Sequence, residues 1–262
     1  GQMTAYGDSE TDGDQSVYVA GTEINGVNVS GLTPQEAKSH MEEFLTQSYE
    51  LLIIDSSQRE TTISHEDISL GTAVKGGLEE VLAQENAGGR LSGPSADNSY
   101  MVEMEITYDE SALEGKLKAL PCLTSGVTVT KDASISPYEE DKEFTIIPEV
   151  RGNSVNWDKL LAKVKEAIGS GQRTLNIYEA GCYDTVQVTE DSQELKDLCD
   201  RMNQLRTIDV TYVFGEEKEI LDGPLRASWI QGAAAGLPVH DRENAAAYVD
   251  ALAEKYDTAG KP

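Results

Sequence analysis

Two tryptophans, three phenylalanines, three histidines and three cysteines are all that 262 residues contain of the side chains that most often build aromatic cores, metal centres and nucleophile–base pairs. So few large aromatics mean mainly aliphatic cores, with the eleven tyrosines at half-buried edges. His40, His65 and His240 have no Cys, His or Glu at metal-ligand spacing and no serine in a nucleophile elbow, so no metal centre and no catalytic triad is expected. Hydrophobic runs are short. None approaches the roughly 18 apolar residues of a membrane-spanning helix, and none has the apolar core of a signal peptide. Basic residues are scarce as well: 21 Lys and Arg stand against 47 Asp and Glu, a formal charge of −26, and no Lys/Arg cluster interrupts it. Nucleic acid and anionic lipid are therefore excluded as electrostatic partners.

What the chain does contain is enough for ordered cores: 39% of its residues are hydrophobic, and its length allows more than one domain. Residues 1–16, GQMTAYGDSETDGDQS, hold four carboxylates and almost nothing to bury, which predicts a flexible acidic lead. Within it, DSETDG imitates the start of a calcium loop. The twelfth position, where a bidentate Glu belongs, is Val19, so calcium binding is not expected.

From residue 17 a helix–hairpin–helix order recurs, which predicts an α+β fold of tandem small modules, each a helix on short antiparallel strands, over 17–99, 100–189 and 190–262. In the first module, Thr33 and Glu36 form a capping box, Pro34 suits the first helical position, and Ala37, Met41, Phe44 and Leu45 share a face. YELLIID and RETTIS then read as strands, and LGTAVKGGLEEVLAQ as a turn into a second helix. GGRLSGPSADNS reads as a linker. In the second module YMVEMEITY is a strand, Asp109 caps a helix carrying Leu113, Leu117 and Leu120, and GVTVT and EFTIIP are strands. There Gly152 turns the chain into a helix capped by Asn156, with Trp157, Leu160, Leu161, Val164 and Ile168 on its buried face. The third module opens with Asp191 and Glu194 at cap-to-third-residue spacing and a stripe of Leu195, Leu198, Cys199, Met202 and Leu205. TIDVTYVFG and EKEILDG form its hairpin, PLRASWI follows, and a last helix runs from about Asp241 to Tyr256.

Chemistry-bearing residues are thinly placed. The carboxylate pairs at 139–141 and 216–217 fall at predicted hairpin tips, where they read as solvated turn residues. Trp157 and Trp229 occupy equivalent positions after glycine turns and read as core packing rather than a sugar platform. Cys199 lies on an apolar stripe as a buried thiol. Cys122 and Cys182 lie in irregular segments at either end of the second module. In an exported chain they are expected to pair, closing a loop of about 60 residues worth about 2–4 kcal/mol; otherwise all three cysteines are reduced structural thiols.

FTIIPEVRGNSVNWDKLLAKVKEAI resembles the peptidoglycan-binding module that precedes the catalytic domain in many Gram-positive L,D-transpeptidases of the YkuD type and occurs in exported VanW-like proteins. INGVNVSGLTPQEA is similar to the start of those exported regions. RMNQLRTIDVTYVFGEEKEILDGPLRASWI and YVDALAEKYDTAGKP resemble the stretch leading into the transpeptidase domain. The resemblance implies a non-catalytic, extracellular, wall-associated accessory region, with peptidoglycan and the chain's own C-terminal catalytic domain as partners, no cofactor, and a membrane anchor upstream. Family members carry their nucleophile in a His and Ser-His-Gly-Cys setting that nothing here matches, so no catalytic residue is transferred. The alternative is a VanW-like exported protein or a surface adhesion module with a protein partner.

Overall fold

A computed structural model describes residues 15–88, 98–234 and 237–257. The DSETDG stretch, most of the acidic lead and the centre of the predicted linker lie outside the described residues. The fold is α+β, with small sheets of two or three strands and interspersed helices. It comprises two compact units: the first holds residues up to Gly126 plus Val155–Tyr183, and the second holds Val127–Ser154 plus the chain from Asp184 onward. These units and the three tandem segments are different divisions of the chain, since 127–154 and 155–183 belong to different units.

The first unit contains β1 (Glu23–Ile24), β2 (Val27–Asn28), α1 (Pro34–Gln47), β3 (Glu50–Ile54), β4 (Glu60–Ser64), β5 (Gly71–Val74), α2 (Leu78–Ala87), β6 (Ser99–Tyr100), β7 (Met104–Thr107), α3 (Glu110–Lys118) and α4 (Pro121–Thr124). The second unit begins with β8 (Ser134–Ile135) and β9 (Ile146–Ile147). The chain then returns to the first unit as α5 (Trp157–Gly169) and β10 (Thr174–Asn176). The second unit resumes with α6 (Gln193–Thr207), β11 (Val210–Phe214), β12 (Glu217–Leu221), α7 (Gly223–Ser228), β13 (Ile230–Ala234), β14 (Leu237–His240) and α8 (Arg242–Tyr256).

The first unit has two cores. In one, α1 starts at the expected capping box: Glu36 N–H donates to Thr33 Oγ1 at 3.3 Å and Thr33 N–H to Glu36 Oε2 at 2.9 Å. The helix buries Ala37 and Met41 against Ile24, Val27, Val74 and Val81. Glu85, buried on α2, accepts from the Val19 N–H at 3.1 Å and from the Thr22 hydroxyl, which ties the entering chain to the helix. In the other core, β3 pairs antiparallel with β4, and β10 joins β3 in parallel on its far edge. Asp109 and Asn156 cap α3 and α5 as their spacing predicts. Both helices bury Leu113, Leu117, Leu160, Val164 and Ile168 with the strand residues Leu51, Ile53 and Ile63.

Some local expectations change. YMVEMEITY splits into β6, parallel to β1, and β7, antiparallel to β5. GVTVT forms no strand: Thr128 N–H donates to Asn153 Oδ1 at 2.7 Å and Thr130 N–H to Ser154 Oγ at 2.9 Å, so side chains take donors that a ladder would use. Only a single bridge, Lys131 with Val150, marks the pairing. Ser192, not Asp191, caps α6, accepting from Leu195 N–H at 3.4 Å, while Lys196 draws the Asp191 carboxylate outward at 3.0 Å. Trp229 closes α7 as its C-terminal cap whereas Trp157 opens α5, so the two positions are not equivalent.

Candidate functional site

The second unit carries a cleft of about 500 Å³, within the roughly 300–1,000 Å³ range of small-ligand sites. Three stretches line it: 134–138 with Phe144, the Leu195, Leu198 and Met202 face of α6, and 230–232 of β13. Its floor grows directly from the α6 stripe. Leu198 and Met202 are buried there with Phe144, Cys199, Ala227 and Ile230 in the unit's core, and Leu195 flanks them. The β8–β9 hairpin supplies the aromatic wall, with the Tyr138 and Phe144 rings 6.2 Å apart and inclined by 52°. Ser134, Ser136 and Gln231 bring the polar atoms.

The wall is held rigidly. Asn203 grips the Phe144 backbone at both groups, accepting from its N–H at 2.8 Å and donating to its carbonyl at 2.8 Å. The Cys199 thiol reaches the same carbonyl at 3.3 Å. Thr145 N–H donates to Ser136 Oγ at 3.0 Å, closing the hairpin behind Tyr138. Gln231 donates its amide to Asp241 Oδ2 at 2.8 Å, which turns the amide carbonyl away from Asp241 as an acceptor. These supports meet the geometric demand that a binding group be fixed before the ligand arrives.

The first unit has a groove of similar size, about 510 Å³, where Lys75, Gly76 and Gly77 meet Glu80, Tyr100 and Glu103. Lys75 Nζ donates to Glu105 Oε2 at 2.9 Å, and that hydrogen bond raises its pKa. The groove is polar and carries charges of both signs.

Apart from the α6 stripe, the residues singled out in the sequence for possible chemistry line neither site. The disulfide expected between Cys122 and Cys182 is not formed: Cys122, Cys182 and Cys199 are all buried free thiols. Burial pushes all three pKa values up, which disfavours the thiolate. His40 is exposed beside Phe44, and His65 sits at the start of a 3₁₀ turn, Glu66–Ile68. The acidic residues 139–141 and 216–217 lie at the tips of the β8–β9 and β11–β12 hairpins, as their flanking strands predict. Trp157 packs at the edge of the larger core with Lys118 Nζ 5.3 Å over its ring, and Trp229 leans on Tyr248 at 5.6 Å. Among the described residues no three His, Cys, Asp or Glu side chains form a metal-binding group, and no helix is long and apolar enough to cross a membrane. Tyr138, Phe144, Asn203 and Gln231 were not singled out by the sequence. Their one local signal is that Tyr138 and Phe144 flank the acidic tip.

A family model described as "Putative peptidoglycan binding domain" matches residues 61–176. The match is to a binding domain rather than a catalytic one, and it supports a cell-wall binding role. It includes the Ser134–Tyr138 and Phe144 wall of the cleft. No curated protein and no solved structure matches the chain.

Proposed function

We propose that this chain is the non-catalytic, extracellular accessory region of a cell-wall L,D-transpeptidase, which positions the catalytic domain and contacts peptidoglycan. The peptidoglycan-binding match over residues 61–176 supports the wall contact in this reading, and the transpeptidase context rests on the sequence resemblance alone. The buried thiols with raised pKa values agree with a region that binds rather than reacts. The test is co-sedimentation with purified peptidoglycan sacculi across a salt series. Retention that rises as salt screens the −26 charge from anionic wall polymers is expected. Absence from the pellet at every salt concentration removes the binding half and leaves a spacer. A second reading, an exported or surface module with a protein partner, draws on the exposed apolar residues Val213 and Ile220 on the outward face of the β11–β12 hairpin.

A further inference from the structure

We propose that the cleft of the second unit is the seat of an uncharged N-acetylated pyranose of a glycan strand, and that the peptide stems of peptidoglycan bind elsewhere. The glycan's identity rests on the wall-contacting reading; the chemistry comes from the cleft. In a chain with 26% charged residues, none of the twelve residues lining it is charged. Stem peptides carry carboxylates and ammonium groups. Taking such a group into an apolar lining without a counter-ion leaves its lost hydration uncompensated, so the cleft selects against them.

An N-acetylhexosamine presents the complementary surface. One face of its ring is a row of C–H groups that fits a tyrosine ring, and Tyr138 stands on the wall of the cleft, half-buried against Phe144. The acetamido methyl is apolar and matches the Leu198 and Met202 floor. The amide and ring hydroxyls need a few placed polar partners, and Ser134, Ser136 and Gln231 line the same cavity. Asn203 acts through Phe144 as a positioning residue, because both of its hydrogen bonds hold the backbone beneath the aromatic wall. An uncharged ligand also suits the molecule: a neutral patch meets neutral sugar without requiring the −26 surface to approach anionic polymer through its charges.

Titration of the whole protein with a tetramer of N-acetylglucosamine, with its fully de-N-acetylated counterpart and with free stem pentapeptide, followed by NMR of the second unit, tests this. The acetylated tetramer is expected to shift the resonances of Tyr138, Met202 and Gln231 with a salt-insensitive Kd, and the other two to leave them unchanged. Tyr138→Ala should weaken binding about tenfold, and Tyr138→Phe should retain most of it. Gln231→Leu, on the exposed rim, provides a second loss should Tyr138→Ala fail to fold. Cleft shifts with stem peptide but not with acetylated tetramer overturn the proposal, as does tetramer binding unchanged in folded Tyr138→Ala. Sacculus retention by wild type with no tetramer binding defeats the proposal and leaves the wall reading standing. Tetramer binding without sacculus retention does the reverse.

Discussion

Gly152 shows how much a single missing atom can decide. A Cβ there would press into the Thr128 carbonyl oxygen and lie 2.7 Å from both Thr130 N and Val129 C, so only hydrogen lets segment 127–131 lie against 152–154. Gly152→Ala is expected to destabilise the second unit by about 2–3 kcal/mol, read as a lowered thermal midpoint. Tyr49 makes a pH argument at the same scale. Buried in the larger core, it donates its hydroxyl to the Gln172 carbonyl at 2.8 Å, and burial pushes its pKa up to about 12 from 10.0 against a partial pull downward by Arg173. The fold favours the neutral phenol, so this contribution is whole below the unfolded pKa near 10 and is lost as pH rises through about 12. Tyr49→Phe should lose about 1 kcal/mol at neutral pH yet show a smaller decline between about pH 10 and 12 in urea unfolding. For the cysteines, a thiol count on unreduced, denatured protein should give three. A count of one would show that two of the three are joined, and non-reducing peptide mapping would then decide whether they are Cys122 and Cys182.

Among the elements, α5 and α8 are opposites. α5 buries Leu160, Val164, Ala167 and Ile168, while none of the residues of α8 is buried. α8 is held by ring contacts and one charged cluster: Tyr256 stacks on Phe214 at 4.2 Å, Tyr248 meets Tyr212 at 6.5 Å, and Glu219 accepts from both Lys255 and the Tyr256 hydroxyl. Such edge contacts stabilise less than burial of an aliphatic face. Hydrogen exchange should therefore be faster in α8 than in α5, and Tyr256→Ala should raise exchange in α8 further, with α5 unchanged. Equal protection of the two helices would refute the ranking. Helix starts were the most legible elements, because a cap is decided within three residues, by two side chains at Thr33 and Glu36 and by one side chain and the Ala112 N–H at Asp109. At α6 two capping residues competed in adjacent positions, and only three-dimensional placement chose Ser192.

For the whole molecule, charge is the governing quantity. With −26 at neutral pH and a sequence pI near 4.3, retention on anionic wall material should rise with salt and also as pH falls toward 4.3. Binding of neutral sugar oligomers should respond to neither until stability itself is lost. Equal salt dependence in the two assays would place the wall contact on charged surface instead of the cleft.

The sequence by itself determined the α+β class, the charge, the capping box at Thr33, the caps at Asp109 and Asn156 and the apolar stripes, because each depends on residues a few positions apart. Tertiary structure alone decided that β10 joins β3, that Asn203 holds Phe144, and that residues 134–138, the Leu195, Leu198 and Met202 face of α6, and residues 230–232 line one uncharged cleft. Those juxtapositions join segments tens of residues apart, and local periodicity carries no record of which distant surface an apolar face will meet.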